Sequence, residues 1–194
     1  MSFTTAPLLH RESMLVAELY ADMKDWDAVK ERVLEENLMQ VKRARSSLNF
    51  YREIKSRLVL VTEAQFDYLL DTSRDGQLHM LWLAVCKRFP FIGEFASEVI
   101  REKYLRLDYQ LSREDYDVFF NAKAAWDERI ENLAEVTKGK QRSMVFIMLR
   151  EAELLTTDGF INSPILDERF VRLVRDDNPA LLTIFPVPDQ MITV

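Results

Sequence analysis

Lys42, Arg43, Arg45, Arg52, Lys55 and Arg57 fall within the stretch VKRARSSLNFYREIKSR, residues 41–57, where Glu53 is the single acid. Six bases against one acid leave a local excess of five positive charges, in a chain whose formal net charge is −6. Side chains of this type at this density bind phosphates and other anions. On a helix of about 3.6 residues per turn, Lys42, Arg45, Asn49, Arg52 and Ser56 fall at offsets 0, 3, 7, 10 and 14 and make one row. The row flanks an apolar stripe of Val41, Ala44, Leu48, Tyr51 and Leu58, so packing of the stripe presents the row outward. Arginine and lysine suit phosphate or guanine, serine suits phosphate, and asparagine suits an adenine edge, which makes Asn49 the one candidate for reading a base. The competing reading is a solvated helix face whose bases pair with acids elsewhere in the chain.

A second basic cluster lies in TKGKQRSMVFIMLR, residues 137–150, with Lys138, Lys140 and Arg142 ahead of an apolar run. A helix over 140–155 puts these three at its start, the end that favours anions over cations. A bound anion there resolves the conflict, because exposed N–H groups and bases then act together. The aromatic residues stand at core-like spacing, and the adjacent Phe50 and Tyr51 leave a helix in different directions, so no stacking platform for single strands emerges.

Other chemistry finds little support. No closely spaced glycines cradle a phosphate. His10, His79 and Cys86 are scattered and lack ligand-like spacing, so no metal or other cofactor is expected. Cys86, the one cysteine, sits in the apolar run LHMLWLAVC and reads as core packing, and His79 nearby reads as a satisfied or partly exposed histidine rather than a ligand. The carboxylate pairs Glu35 and Glu36, Asp115 and Asp117, and Asp176 and Asp177 arise freely among 32 acids and read as solvated surface. No nucleophile elbow or ordered Ser/His/Asp set is present. The sequence therefore points away from an enzyme, and no catalytic residue is assigned.

The elements that must position the bases follow from composition and period. The chain has 194 residues, 48% of them apolar, with only four glycines and six prolines. That scarcity of turn residues predicts an all-α fold. Helical periodicity predicts segments over 10–23, 26–36, 41–58, 62–70, 73–89, 91–106 and 113–124. A short helix follows Trp126, then come 140–155 and a last one in LDERFVRLVRD. Asp25, the Thr62/Gln65 pair, Ser73 and the Ser112/Asp115 pair are predicted N-caps, and Asn37 a stop.

The helix over 26–36, the connection EENLMQ and the basic helix give a helix-turn-helix-like order, in which the second helix enters the major groove. TTDGFINSP carries the Asp158-Gly159 turn signal and is a possible small β wing over 156–163. Residues 1–9 read as a flexible tail, and DYQLS (108–112) as a joint between helical lobes at 10–108 and 109–194. The apolar, Pro-interrupted end TIFPVPDQMITV either packs as an extended arm or docks on another protein. The apolar runs are shorter than the roughly 20 residues a membrane span needs. A single cysteine suits a reducing setting, so a cytoplasmic protein without a membrane segment is expected. The overall pI of about 5.1 confines any nucleic-acid contact to a local patch.

The order and spacing of several stretches resemble the BrxA family, a small component of BREX bacteriophage-defence systems. They are RESMLVAELY (11–20), DWDAVKERVLEENLMQ (25–40), Arg45-Ser46 with Arg52 through Leu58, and KRFPFIGEFASEVIREKY (87–104). LSREDYDVFFNAKAAW (111–126), LAEVTKGKQRSMVFIMLREAELL (133–155) and IFP (184–186) follow. The resemblance implies an all-helical, DNA-binding, non-catalytic protein working beside a methyltransferase, an ATPase and a phosphatase-like partner. The residues expected to contact duplex DNA come from the basic row and its neighbours, not from the resemblance. They are Lys42, Arg43, Arg45, Asn49, Arg52, Lys55 and Arg57, with Lys138, Lys140 and Arg142 in the second cluster. The alternative is a scaffold whose basic helix docks an acidic protein of the same system, and RNA is a less favoured ligand.

Overall fold

Capping side chains set where the helices begin. In a computed structural model of the chain, which describes residues 3, 4 and 6–193, α1 (His10–Met23) is followed by α2 (Trp26–Glu35), whose first N–H groups bond to the Asp25 carboxylate. Then come α3 (Ala44–Leu58), α4 (Glu63–Leu70) and α5 (Arg74–Arg88). The Thr62/Gln65 capping box opens α4 and Ser73 opens α5. Pro90, at the first position where a missing N–H is harmless, starts α6 (Pro90–Phe95). This helix continues through a π-helical stretch, Ala96–Arg101, into α7 (Glu102–Leu105). The Ser112/Asp115 capping box opens α8 (Arg113–Ala124). A short α9 (Glu128–Glu131), the long α10 (Glu135–Glu151), α11 (Glu168–Asp177), a 3₁₀ segment Pro179–Ile184 and α12 (Gln190–Thr193) complete the order. The fold is all-α, and no strand forms among the described residues.

α5 is the central element. Its residues from Leu78 to Cys86 are all buried, the pattern of a helix covered on every side. α3, α4, α6 and the 3₁₀ segment pack on it. One hydrophobic cluster runs from Phe3 through Tyr51, Trp82, Phe95 and Tyr116 to Phe170 and Phe185. Cys86 is part of this core, and burial pushes its thiol well above the ordinary range. His79 is also buried, edge-on to Phe170 and Phe185, and the same burial lowers its pKa.

Several segments differ from the sequence expectation. The opening segment is not a loose tail where it is described: Phe3, Ala6 and Leu8 are buried, and Phe3 lies 5.6 Å from the ring of Phe89. At the other end, Trp82 Nε1 donates to the carbonyl of Ile184 at 3.2 Å, and Phe185 and Val187 are buried. Of the two readings of the apolar C-terminal stretch, packing on its own chain is the one observed through Val187.

The 156–163 stretch forms a turn rather than a projecting wing. Leu155 and Ile161 make one isolated bridge, Gly159 takes φ 85°, and Ile161 donates to Tyr109 O at 2.7 Å. The turn is laid down on residues 109–111, which is where its backbone groups find partners.

Candidate nucleic-acid interface

α3 starts at Ala44, three residues after the position its apolar period suggests. Asn37 and Gln40 both adopt left-handed conformations, and Asn37 Oδ1 accepts the N–H of Val41 at 3.2 Å. This closes the connection from α2 as a turn and leaves Lys42 and Arg43 in a bend just before the helix. The linker between Glu35 and Ala44 is longer than the roughly 3–4 residues of a tight helix-turn-helix.

The buried face of α3 is Ser47, Tyr51, Ile54 and Leu58. Tyr51 donates its hydroxyl proton to the carbonyl of Trp26, fixing α3 to the start of α2. Burial, helped by Asp27 and Asp25, pushes the phenol up to about 12, so it remains a donor at neutral pH. Trp26 in turn stacks on Tyr20, with ring centroids 3.8 Å apart.

With that face inward, Arg45, Asn49 and Arg52 are exposed, together with Lys42 and Arg43 just ahead of the helix. None of these five makes a side-chain hydrogen bond or ion pair among the described residues. Arg45 and Arg52, seven residues apart, are separated by roughly 10 Å along the axis. The first turn of α3 holds no acid and no capping side chain. Its free N–H groups therefore add partial positive charge to that of Lys42, Arg43 and Arg45. The basic helix start expected near residue 140 is found here instead.

Lys55 is half-buried, its ammonium 5.9 Å from the centre of the Trp26 ring. Arg57 must be removed from the candidate surface. It is 3% exposed, and its guanidinium donates to the carbonyls of Pro7 at 2.7 Å and Ala6 at 2.9 Å. Burial lowers its pKa to about 10, opposed by Glu53 and Glu151, which leaves it charged at neutral pH.

The second cluster is arranged differently from the expectation. α10 begins at Glu135, more than a turn before 140, because Gly139 is absorbed into the helix. Lys140 and Arg142 thus lie beyond the first turn, and Lys138 closes a turn that carries an acid, Glu135. The expected crowding of three bases at the helix start is reduced to one. Lys138 donates to Asn121 Oδ1 at 2.9 Å and lies 4.9 Å from the centre of the Phe120 ring. Arg142 forms an ion pair with Asp117. Two of the three bases therefore fasten α10 to α8, and Lys140 alone is exposed. α3 packs against α1, α2 and α5, and the basic half of α10 against α8, so the clusters belong to different parts of the surface framework.

One base escaped sequence reasoning. Arg88, at the end of α5, is exposed, and its Nε donates to Ser56 Oγ at 3.2 Å. It extends the row of α3 past Arg52. In the sequence it reads as a cation completing the last turn of a core helix, and only the packing of α5 on α3 reveals the juxtaposition. No group of three or more potential metal-ligating side chains occurs among the described residues. No described helix is long and apolar enough to cross a membrane.

The BrxA family model matches residues 1–178. The chain belongs to the BrxA family. Two relatives carry the name BREX protein BrxA. The one from Escherichia coli O9:H4 (strain HS) is 20% identical over 158 residues, covering 81% of this chain and 71% of the relative. The one from Bacillus cereus (strain H3081.97) is 25% identical over 177 residues, covering 87% and 86%. A crystal structure of an uncharacterized protein from Magnetospirillum magneticum superposes with a TM-score of 0.81 at 20% identity, over 95% of this chain and 96% of that one. BrxA membership thus extends through α11, and the shared fold covers nearly the whole chain.

Proposed function

We propose that this BrxA-family chain is a non-catalytic, duplex-DNA-binding component of a BREX-type bacteriophage-defence system. It grips phosphates through the basic face of α3 and works with the other proteins of that system, among them the methyltransferase, ATPase and phosphatase-like components. The observation that carries the reading is the unpaired state of Arg45 and Arg52. Both are exposed on one row of α3, with Asn49 between them and no acid of the described chain neutralising either. A solvated face in an acidic protein would be expected to pair such bases. Here Lys42, Arg43 and the uncapped first turn add to the same field, and Arg88 prolongs it.

Because the groups are mostly phosphate-type ligands, affinity depends strongly on salt and little on sequence. Lys140 is an outlying contact, whereas Lys138 and Arg142 support it from within the fold. A second reading, a scaffold that docks an acidic partner protein, draws on that internal pairing of the α10 cluster.

The test is a titration with a labelled duplex of a few tens of base pairs at several salt concentrations. Wild type is compared with Lys42→Glu/Arg45→Glu/Arg52→Glu, with circular dichroism as the folding control. Log affinity is expected to fall with log salt by about 0.9 per phosphate neutralised, and the triple change to abolish binding. Equal binding by the folded variant, or none by wild type at low salt, refutes the DNA reading and favours the scaffold. Competition with a structured RNA separates the two nucleic acids.

A further inference from the structure

A cavity of about 410 Å³ opens between α11 and α12, away from α3. α11 explains one wall. Phe170 and Val174 are fully buried, with the Phe170 ring 5.5 Å from that of Phe185 and 5.8 Å from that of Tyr68. A second stripe, Glu168, Val171, Arg172 and Arg175, has the 0, 3, 4, 7 spacing of one helical face and lines the cavity. Leu166, itself buried, supplies an apolar boundary. The opposite wall is Gln190 and Met191. An ion pair between Arg101, on the π-helical stretch, and Asp189 fastens the chain just before that wall.

Two arginines and one acid line this cavity, which leaves it net positive. Arg172 and Arg175 both face it, and neither has an ion-pair partner among the described residues. Glu168 shares the lining but pairs with neither. Arg169, on the same helix, shows the ordinary arrangement: it meets Asp71 at 3.1 Å and lies over the Tyr68 ring. Arg175 is only partly exposed, so its side chain is held against the fold rather than free in solvent. An oxyanion is the acceptor that a guanidinium fork matches best. Leu166, Val171 and Met191 offer nothing to a fully hydrated ion but bury an apolar body well.

We infer that this cavity binds a small organic oxyanion, a phosphate monoester or carboxylate with an apolar body. Arg172 and Arg175 hold its charge, Gln190 meets a polar group, and Leu166, Val171 and Met191 enclose the rest. The inference does not rest on DNA binding, since none of these residues belongs to the α3 row.

Calorimetric titration of the full chain with phenyl phosphate, benzoate and inorganic phosphate tests it. One aromatic anion is expected to bind saturably at one per chain, and whether phosphate or carboxylate is preferred identifies the head group. Inorganic phosphate is expected to bind at least about tenfold more weakly, because it has no apolar surface to bury. Arg172→Gln/Arg175→Gln, folded by circular dichroism, is expected to lose the binding. If the double change disturbs folding, Arg172→Gln alone, at an exposed position, is expected to weaken it. No saturable binding of either aromatic anion through the millimolar range overturns the proposal. So does undiminished binding by the folded variants, or inorganic phosphate binding as tightly as phenyl phosphate. If the folded double variant instead loses duplex affinity, the arginines serve nucleic-acid phosphates and the small-anion site is wrong. The α3 titration stands or falls separately.

Discussion

Arg57 and Glu151 hold successive peptide groups of the same segment. The guanidinium donates to the carbonyls of Ala6 and Pro7, and the Glu151 carboxylate accepts the N–H of Leu8 at 2.6 Å. Arg57 lies in the last turn of the basic helix α3 and Glu151 ends α10, so the segment before α1 is gripped where two helices finish. Burial raises the Glu151 pKa, while the Leu8 N–H and the nearby Arg57 charge act to lower it. Arg57→Met leaves two carbonyls without their donor in a closed site and is expected to lower unfolding free energy by about 3 kcal/mol in urea denaturation. Its effect on the salt dependence of duplex binding should be nil, because the side chain never reaches the surface. Combined with Glu151→Gln, the losses should fall short of additive, since both changes release one segment. Additivity within about 0.5 kcal/mol shows that the two residues act independently.

A second grip operates at the start of α11. Asp167 caps that helix through the Phe170 N–H at 2.8 Å and also accepts the Tyr68 hydroxyl. Burial alone raises its pKa, but the Tyr68 hydroxyl, the N–H groups of Phe170 and Arg169 and the Arg169 charge outweigh it, and the net shift is downward. A carboxyl lowered in the folded state contributes stability that is complete above its ordinary value of 3.8 and is lost as pH falls through the depressed one. Wild type should therefore lose more stability than Asp167→Asn as pH falls below 3.8. Asparagine still caps, so the difference at neutral pH should be only about 1 kcal/mol. Parallel acid dependences of the two proteins exclude this role for Asp167.

Most helices and their caps were readable because each depends on neighbours in sequence, whereas the 3₁₀ segment and α12 lie in or beside a stretch that reads as an extended arm. Thr62 with Gln65 and Ser112 with Asp115 show their capping boxes within four residues. The site was readable only in part. Arg52 and Arg57 look alike in the sequence, yet one is exposed and the other buried against carbonyls some fifty residues away. Nothing local distinguishes them. Arg88 was missed for the same reason, as its place beside Ser56 exists only through the packing of α5 on α3. Ile54 was omitted from the apolar stripe and Ala44 included, because the helix begins at Ala44 and turns Ser47, Tyr51 and Ile54 inward.

Two glycines make opposite predictions. Gly139 lies inside α10, and a Cβ there would meet nothing within 4 Å. Gly139→Ala is expected to stabilise the protein by about 0.5–1 kcal/mol, through helix propensity and a less free unfolded chain. Gly159 has φ +85°, and a Cβ would come within 3.1 Å of the Leu111 carbonyl oxygen. Gly159→Ala should destabilise by about 1–2 kcal/mol. Thermal melts of the two variants should move in opposite directions, and a gain at position 159 contradicts the observed turn.

Arg88 provides the sharpest test of how far the DNA surface extends. It is exposed, and Ser56 holds its Nε beside the end of the α3 row. Its guanidinium carbon also lies 5.0 Å from the centre of the Phe89 ring. If the row follows a phosphate backbone, Arg88→Gln should reduce the slope of log affinity against log salt by about 1, as should Arg52→Gln. The effect should be the same for duplexes of unrelated sequence, because a phosphate contact carries no base information. Asn49→Ala, by contrast, should leave the slope alone and act, if at all, on sequence preference. Stability should change little with Arg88→Gln, since an exposed side chain with one neutral hydrogen bond is worth about 1 kcal/mol or less. An unchanged slope in Arg88→Gln beside a reduced slope in Arg52→Gln ends the contact surface at Arg52. Reduced slopes in both carry it across the α3–α5 junction.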